Sequence, residues 1–308
     1  MKRHRLPVVH AVAASGLPSG EERAVMHIHH LNCGTDCPLG GALFDGRSKG
    51  MTGRLVCHCL LIETDAHGLV LVDTGYGLRD VHHPHAGPQP RITRTMRTML
   101  NIQLHEHETA IRQIQALGFD PRDVRHILLT HLDFDHAGGL EDFPQATIHL
   151  MDAEFSAATG PRRGFVSRNR YRPAQWNEVR GWRRYGAQGE QWFGFAAVRD
   201  LEGLPPEILM VPLPGHTWGH AGIAVRLKNR WLLHAGDAYF YRGEMRAAQR
   251  RCTLGLRGYQ RMMEVDRRAR LGNQERVRRL SIERQSELSV ICAHDRVEFE
   301  QCVAGYPL

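Results

Sequence analysis

Thr130-His131-Leu132-Asp133-Phe134-Asp135-His136-Ala137-Gly138-Gly139 decides how the rest of the chain is read. It sets four side chains able to ligate a metal within six residues, directly after the apolar run Ile127-Leu128-Leu129. A short apolar run bounded by polar residues reads as a buried strand. The cluster therefore lies on the loop leaving that strand's C-terminal end, where α/β sheets commonly bind ligands. The plain alternative is a solvated polar turn. Crowding argues against it, because Asp133 and Asp135 without a cation would repel each other and take up protons. A pair of divalent cations reverses that penalty.

Partners for the cluster stand in equivalent places. Pro214-Gly215-His216-Thr217 follows Ile208-Leu209-Met210-Val211, and Gly236-Asp237 follows the run from Trp231 to Ala235. His294 follows the run from Leu288 to Ala293. Each candidate stands at the end of an expected strand, so one rim could gather them all.

With these residues quoted, the pattern resembles the metallo-β-lactamase superfamily, whose metal motif runs H-x-H-x-D-H and continues with a distant His, Asp and His. The resemblance spans about residues 25 to 295 and implies an α/β (α+β) fold, a four-layer αββα sandwich. It implies two divalent ions per chain, zinc first, with manganese or iron as alternatives. One ion would take His131, Asp133 and His216; the other would take Asp135, His136 and His294; Asp237 would bridge them. Val72-Asp73-Thr74-Gly75 resembles the family's early turn, whose Asp lies near the metals without binding them. The one departure is Asp133, where most members carry His.

Among the family's branches the chain is most similar to the quorum-quenching lactonases. That similarity implies hydrolysis of a lactone or other small ester by a metal-bridging hydroxide. Asp135 or Asp237 would take the proton, and Tyr239 or Tyr241 would donate to the oxyanion. The lactonases carry Tyr three residues after the bridging Asp; this chain has Phe240 there, flanked by the two tyrosines. Counting charge, Asp133 makes the loaded site one unit less positive than His would, which raises the expected pKa of the water and favours harder metals. Two alternatives belong to other classes: a diiron-type redox protein of the same fold, and a phosphodiesterase or nuclease acting on an anionic substrate. The first would be expected with an appended flavin domain and the second with an additional inserted domain.

Composition agrees with one large domain. The chain has 308 residues, 42% hydrophobic and 24% charged, enough to bury a core. Residues 1–23 read as a flexible N-terminal extension and 24–308 as a single domain. The basic start followed by Leu6 to Ala14 superficially resembles a signal peptide, but the apolar part is short and broken by His10. Seven scattered cysteines give no pairing framework, so a cytoplasmic location is expected. No apolar stretch is long enough to span a bilayer. The net charge of +7 could attract anions, yet neither nucleic acid nor a membrane is the expected partner. A homodimer stays open.

Along the chain, residues 24 to 31 read as a first strand and 31 to 53 as a long loop overhanging the rim. His27, His29 and His30 cannot share one site, because strand neighbours alternate faces. Cys33/Cys37 and Cys57-His58-Cys59 lack the spacing of a zinc site. Leu55 to Glu63 and Leu69 to Asp73 read as a hairpin, and His82 to His85 as a solvated turn. His105 to Leu117 has helical spacing. Ala146 to Met151 reads as a strand, with Asp152 capping a short helix. Residues 160 to 192, rich in Arg, Trp and Gly, read as an insertion shaping the pocket, with Trp176, Trp182 and Trp192 lining or anchoring it. His220 is expected to support the ligands rather than join them. The basic stretch 242 to 284 reads as helix with a solvated face.

Overall fold

The computed structural model describes residues 26–84, 89–161, 164–198, 200–246 and 248–305. The expected N-terminal extension and His85 lie outside the described residues. In chain order the first half forms β1 (His27–Asp36), α1 (Ala42–Asp45), β2 (Leu55–Thr64), β3 (Gly68–Val72), α2 (Leu78–His82), α3 (Arg94–Leu100), β4 (Ile102–Gln103), α4 (Ala110–Ala116), β5 (Val124–Leu128) and β6 (Thr147–Met151). There follow α5 (Asp152–Thr159), α6 (Gly164–Arg170), β7 (Trp182–Tyr185), β8 (Glu190–Trp192), β9 (Phe195–Ala197), β10 (Ile208–Pro212) and β11 (Ala221–Arg226). The chain ends with β12 (Trp231–His234), α7 (Leu254–Met263), α8 (Arg267–Glu283), β13 (Leu288–Ile291) and α9 (Arg296–Val303).

Side chains alternate across a strand, and the apolar runs are divided accordingly between two cores. Leu60, Ile62, Val70, Val72 and Leu128 of one sheet meet Ile208, Met210, Ile223 and Val225 of the other. Their sequence neighbours Leu61, Leu69, Leu71 and Ile127 point the opposite way, onto Ala110 and Ile114 of α4 and Ala158 of α5. On the far side, Leu209, Val211, Leu233 and Val290 pack against Val277 and Leu280 of α8. The layers are helix, sheet, sheet, helix, as expected. Each such Leu, Ile or Val removed from water contributes about 1.5–3 kcal/mol.

The larger sheet runs β4-β1-β2-β3-β5-β6-β7 and the smaller β10-β11-β12-β13. β3, β5, β6 and β7 are parallel, as are β12 and β13. Parallel strands bring their C-terminal ends to one edge, so Asp73, the 130–136 loop, Asp237 and His294 leave from a common rim.

Several expectations need revision. β1 runs on to Asp36, so the long loop begins later and contains the short α1. Asp152 is the first residue of α5, and neither it nor the N-cap Met151 makes a side-chain cap bond. In the 242–284 stretch the α-helices start only at Leu254, and α7 and α8 are separated by Glu264 to Asp266. Trp176 and Trp192 are buried in the two outer cores, one on each sheet, and Trp182 packs half-buried against the first. They anchor the 160–192 segment rather than line a pocket. All seven cysteines are unpaired in disulfide terms. Among the described residues no helix is long and apolar enough to cross a membrane.

Candidate metal centre

The motif loop is fixed before any ligand is considered. Asp73 has φ 54°, a left-handed conformation that Asp tolerates better than most residues. Its carboxylate accepts from Thr130 N (2.7 Å) and Thr130 Oγ1 (2.7 Å), and it pairs with His136 Nδ1 at 2.9 Å. Because a carboxylate only accepts, His136 Nδ1 keeps its proton, and Nε2 is the nitrogen that can ligate once its own proton is released. The Thr130 hydroxyl has spent its one proton on Asp73, so at 2.9 Å it accepts from His131 Nδ1. His294 Nδ1 donates to Val56 O at 2.8 Å. Three imidazoles are thereby turned Nε2-inward by partners behind them, the usual way a metal-binding His is oriented.

Two four-atom groups result. In the first, His216 Nε2 lies 3.1 Å from Asp133 Oδ2 and 3.3 Å from Asp237 Oδ2, and His131 Nε2 lies 3.5 and 3.6 Å from the same two atoms. In the second, Asp237 Oδ1 lies 3.1 Å from His294 Nε2 and 3.4 Å from His136 Nε2. Asp135 Oδ2 completes it at 3.7 and 4.0 Å from those nitrogens. A tetrahedral ion with bonds of about 2.0–2.1 Å needs donors about 3.3–3.4 Å apart; the first group matches this and the second is slightly wider. His131 Nε2, His136 Nε2 and Asp237 Oδ1 are buried with no hydrogen-bond partner among the described residues, a costly state unless a cation fills it. The donor set fits two divalent ions. All seven expected ligands are brought together, and the most exposed, Asp135, is only 6% accessible.

The electrostatics follow. Burial alone would push the Asp237 carboxyl up, but His294, His136 and His216 hold it well below the ordinary range. Burial likewise opposes charge on His136 and His294, yet Asp237 and Asp135 raise them to about 10 and about 9. Burial and then Arg170 bring His216 down to about 4.

The expected oxyanion donors divide. Tyr239 is fully buried and its hydroxyl donates to Glu298 at 3.0 Å, away from the ligands, so the geometry removes it from that role. Tyr241 lines a narrow cleft together with Phe240, Leu55, Arg54 and His294. His220 supports the centre as expected: its Nδ1 donates to Leu213 O, and its Nε2 accepts from Asp237 N at 2.9 Å. The preceding Gly236, at φ 52°, has no room for a Cβ, which would stand 2.7 Å from that same Nε2.

Three contributors had no distinctive mark in the sequence. Glu154 of α5 accepts from Leu132 N (3.0 Å) and Gly219 N (3.1 Å), tying the motif loop to the His216 loop. The Cys57 thiol comes within 4.8 Å of ligand atoms of Asp135 and His294, a contact made across segments that the Cys57-His58-Cys59 spacing does not show. The third is Arg170, wholly buried, with Nε 3.1 Å from Asp133 Oδ1. Its positive charge stands against the carboxylate from which the charge deficit was expected.

Comparison with known proteins shows the family. The sequence profile of the metallo-beta-lactamase superfamily matches residues 52–150. A probable metallo-hydrolase of Mycobacterium tuberculosis is 40% identical over 268 residues, 87% of this chain and 80% of that one. The chain belongs to the metallo-β-lactamase superfamily. It is a metal-dependent hydrolase of that fold. The N-acyl homoserine lactonase AttM of Agrobacterium fabrum is 30% identical over 131 residues, 41% of this chain and 45% of that one. An N-acyl homoserine lactone hydrolase, solved with N-hexanoyl-L-homoserine at its catalytic metal centre, superposes with TM-score 0.62 at 18% identity, covering 90% of this chain and 96% of the other.

Proposed function

We propose that the protein hydrolyses a lactone or other small ester at a dinuclear centre held by His131, Asp133, His216, Asp135, His136, His294 and the bridging Asp237. The observation that carries this reading is Asp237: its two oxygens face different nitrogen groups, Oδ2 toward His131 and His216, and Oδ1 toward His136 and His294. When bound, two divalent cations would acidify a water and polarise a carbonyl oxygen. The chain's own part is orientation and proton handling. Asp135, the most solvent-accessible of the seven, would accept a proton from the attacking water and pass it to the leaving alkoxide. Tyr241, on the cleft wall, would donate toward the substrate oxygen. Phe240 and Leu55 give the cleft an apolar wall for a short acyl chain.

Zinc-loaded protein assayed on γ-lactones, N-acyl homoserine lactones, aryl acetates and bis(4-nitrophenyl) phosphate tests this. Turnover of lactones or esters that chelation abolishes and zinc restores is the expected result. Turnover of the phosphodiester alone would overturn it.

A second reading has its own observation. The same cleft is lined by Arg47, Arg54, Arg242 and Arg296. Arg47 and Arg296 share Glu300 at 2.6 and 2.7 Å, and Arg242 pairs with Asp295 at 3.1 Å. Four cations against the three acids Asp45, Asp295 and Glu300 leave a positive wall, which favours an ester that also carries an anionic group.

A further inference from the structure

We propose that Arg170 is the positioning residue that lets an aspartate serve as a metal ligand at position 133. The inference rests on the dinuclear reading above. Arg170 ends α6, in the segment whose composition pointed only to an insertion, and its side chain has no solvent exposure. Nη1 donates to His216 O and Nη2 to Met263 O, both at 2.7 Å. Two carbonyls from separate segments, the His216 loop and the end of α7, thus set the plane of the guanidinium. In that plane Nε stands 3.1 Å from Asp133 Oδ1, a charge contact rather than an aligned hydrogen bond. Tyr171, the next residue, pairs with Asp133 in an isolated antiparallel bridge, which fixes the distance between the two backbones.

Three consequences follow. With Oδ1 turned to the guanidinium, only Oδ2 faces His131 and His216, so Asp133 offers one donor atom, as an imidazole would. The guanidinium charge cancels the charge that Asp adds relative to neutral His, and the loaded centre regains the balance of an H-x-H-x-D-H site. The fork must also be Arg: Lys would supply the charge but not three fixed directions. Arg170 is enclosed and engaged by main-chain carbonyls, and its Nη2 also lies 3.4 Å from His216 Nε2, so it acts through the ligands Asp133 and His216 and does not meet substrate.

The test compares wild type, Arg170→Met, Asp133→His and the double variant, each loaded with Zn²⁺ and titrated against a chromogenic chelator, with circular dichroism confirming the fold. Wild type should hold two ions. Each single variant should bind one of them about 10–100-fold more weakly, the usual cost of losing a group behind a ligand. The double variant, with an uncharged pair, should recover most of that loss, whereas a merely structural role for Arg170 would make the two losses add. A folded Arg170→Met protein with two ions at wild-type affinity overturns the proposal, as does a double variant no better than the weaker single one. If Arg170→Met does not fold, recovery or no recovery in the double variant relative to Asp133→His decides alone. Wild type saturating at one ion would instead overturn the dinuclear reading, and the proposal with it.

Discussion

The ring of Phe240 stacks on that of His294, with centroids 4.9 Å apart and planes 23° from parallel. Phe240 is buried and also meets His216, at 5.8 Å, so one ring braces a candidate ligand of each ion. Phe240→Ala should lower unfolding free energy by about 3–5 kcal/mol, the cost of a large core cavity. It should also weaken zinc retention. Equal zinc affinity in a destabilised variant would confine the ring to packing.

Tyr239 and Glu298 form a buried pair. Tyr239→Phe should leave kcat within about twofold while lowering stability by about 1–3 kcal/mol, the cost of stranding a buried acceptor. A large fall in kcat with unchanged stability would restore Tyr239 as a donor to substrate.

Glu298 also supplies a pH signature. Burial, and then Asp295, raise it from the ordinary 4.5 to about 8. The folded state therefore holds a proton that the unfolded state releases. The stabilisation is fully present below about 4.5 and is lost as pH rises through about 8. Melting temperature should fall less steeply across this window in Glu298→Gln than in wild type; parallel curves would show that Glu298 is ionised in the fold.

Tyr241→Phe isolates the remaining hydroxyl. If Tyr241 donates to the developing oxyanion, kcat should fall about 10²-fold, the usual size of such a loss, with zinc content unaltered. A full rate would leave oxyanion stabilisation to the cations.

Loading the centre should displace protons. Without metal, His136 and His294 titrate near 10 and 9, so at neutral pH both are protonated and must release those protons to ligate. Zinc affinity should rise with pH up to that range. Calorimetry in buffers of different ionisation enthalpy should show proton release beyond that of the water ligand; no buffer dependence would mean the imidazoles are already neutral.

The candidate ligands were legible because each announces itself locally: an apolar run, then a turn residue, then His or Asp. The layers were legible for a similar reason, since Val70, Leu71 and Val72 already encode two faces by alternation. Arg170 was not, because its meaning lies in a contact with Asp133 that no periodicity records, inside a stretch where arginine is common. The two tyrosines could not be told apart either. Tyr239 and Tyr241 flank Phe240 symmetrically in sequence, and only the position of Glu298 on α9 shows which one is engaged in the core.

Each four-atom group draws two side chains from either half of the molecule: His131 and Asp133 with His216 and Asp237, and Asp135 and His136 with Asp237 and His294. Cations seated there would be rivets between two half-shells, comparable to a removable cross-link. By mass action, a site filled at a thousand times its Kd adds about 4.1 kcal/mol to folding, a large share of the 5–15 kcal/mol typical of a domain. Metal supply would then govern how long the folded chain survives as well as how fast it works. Starved of cations, the molecule should begin to part along the seam between its sheets.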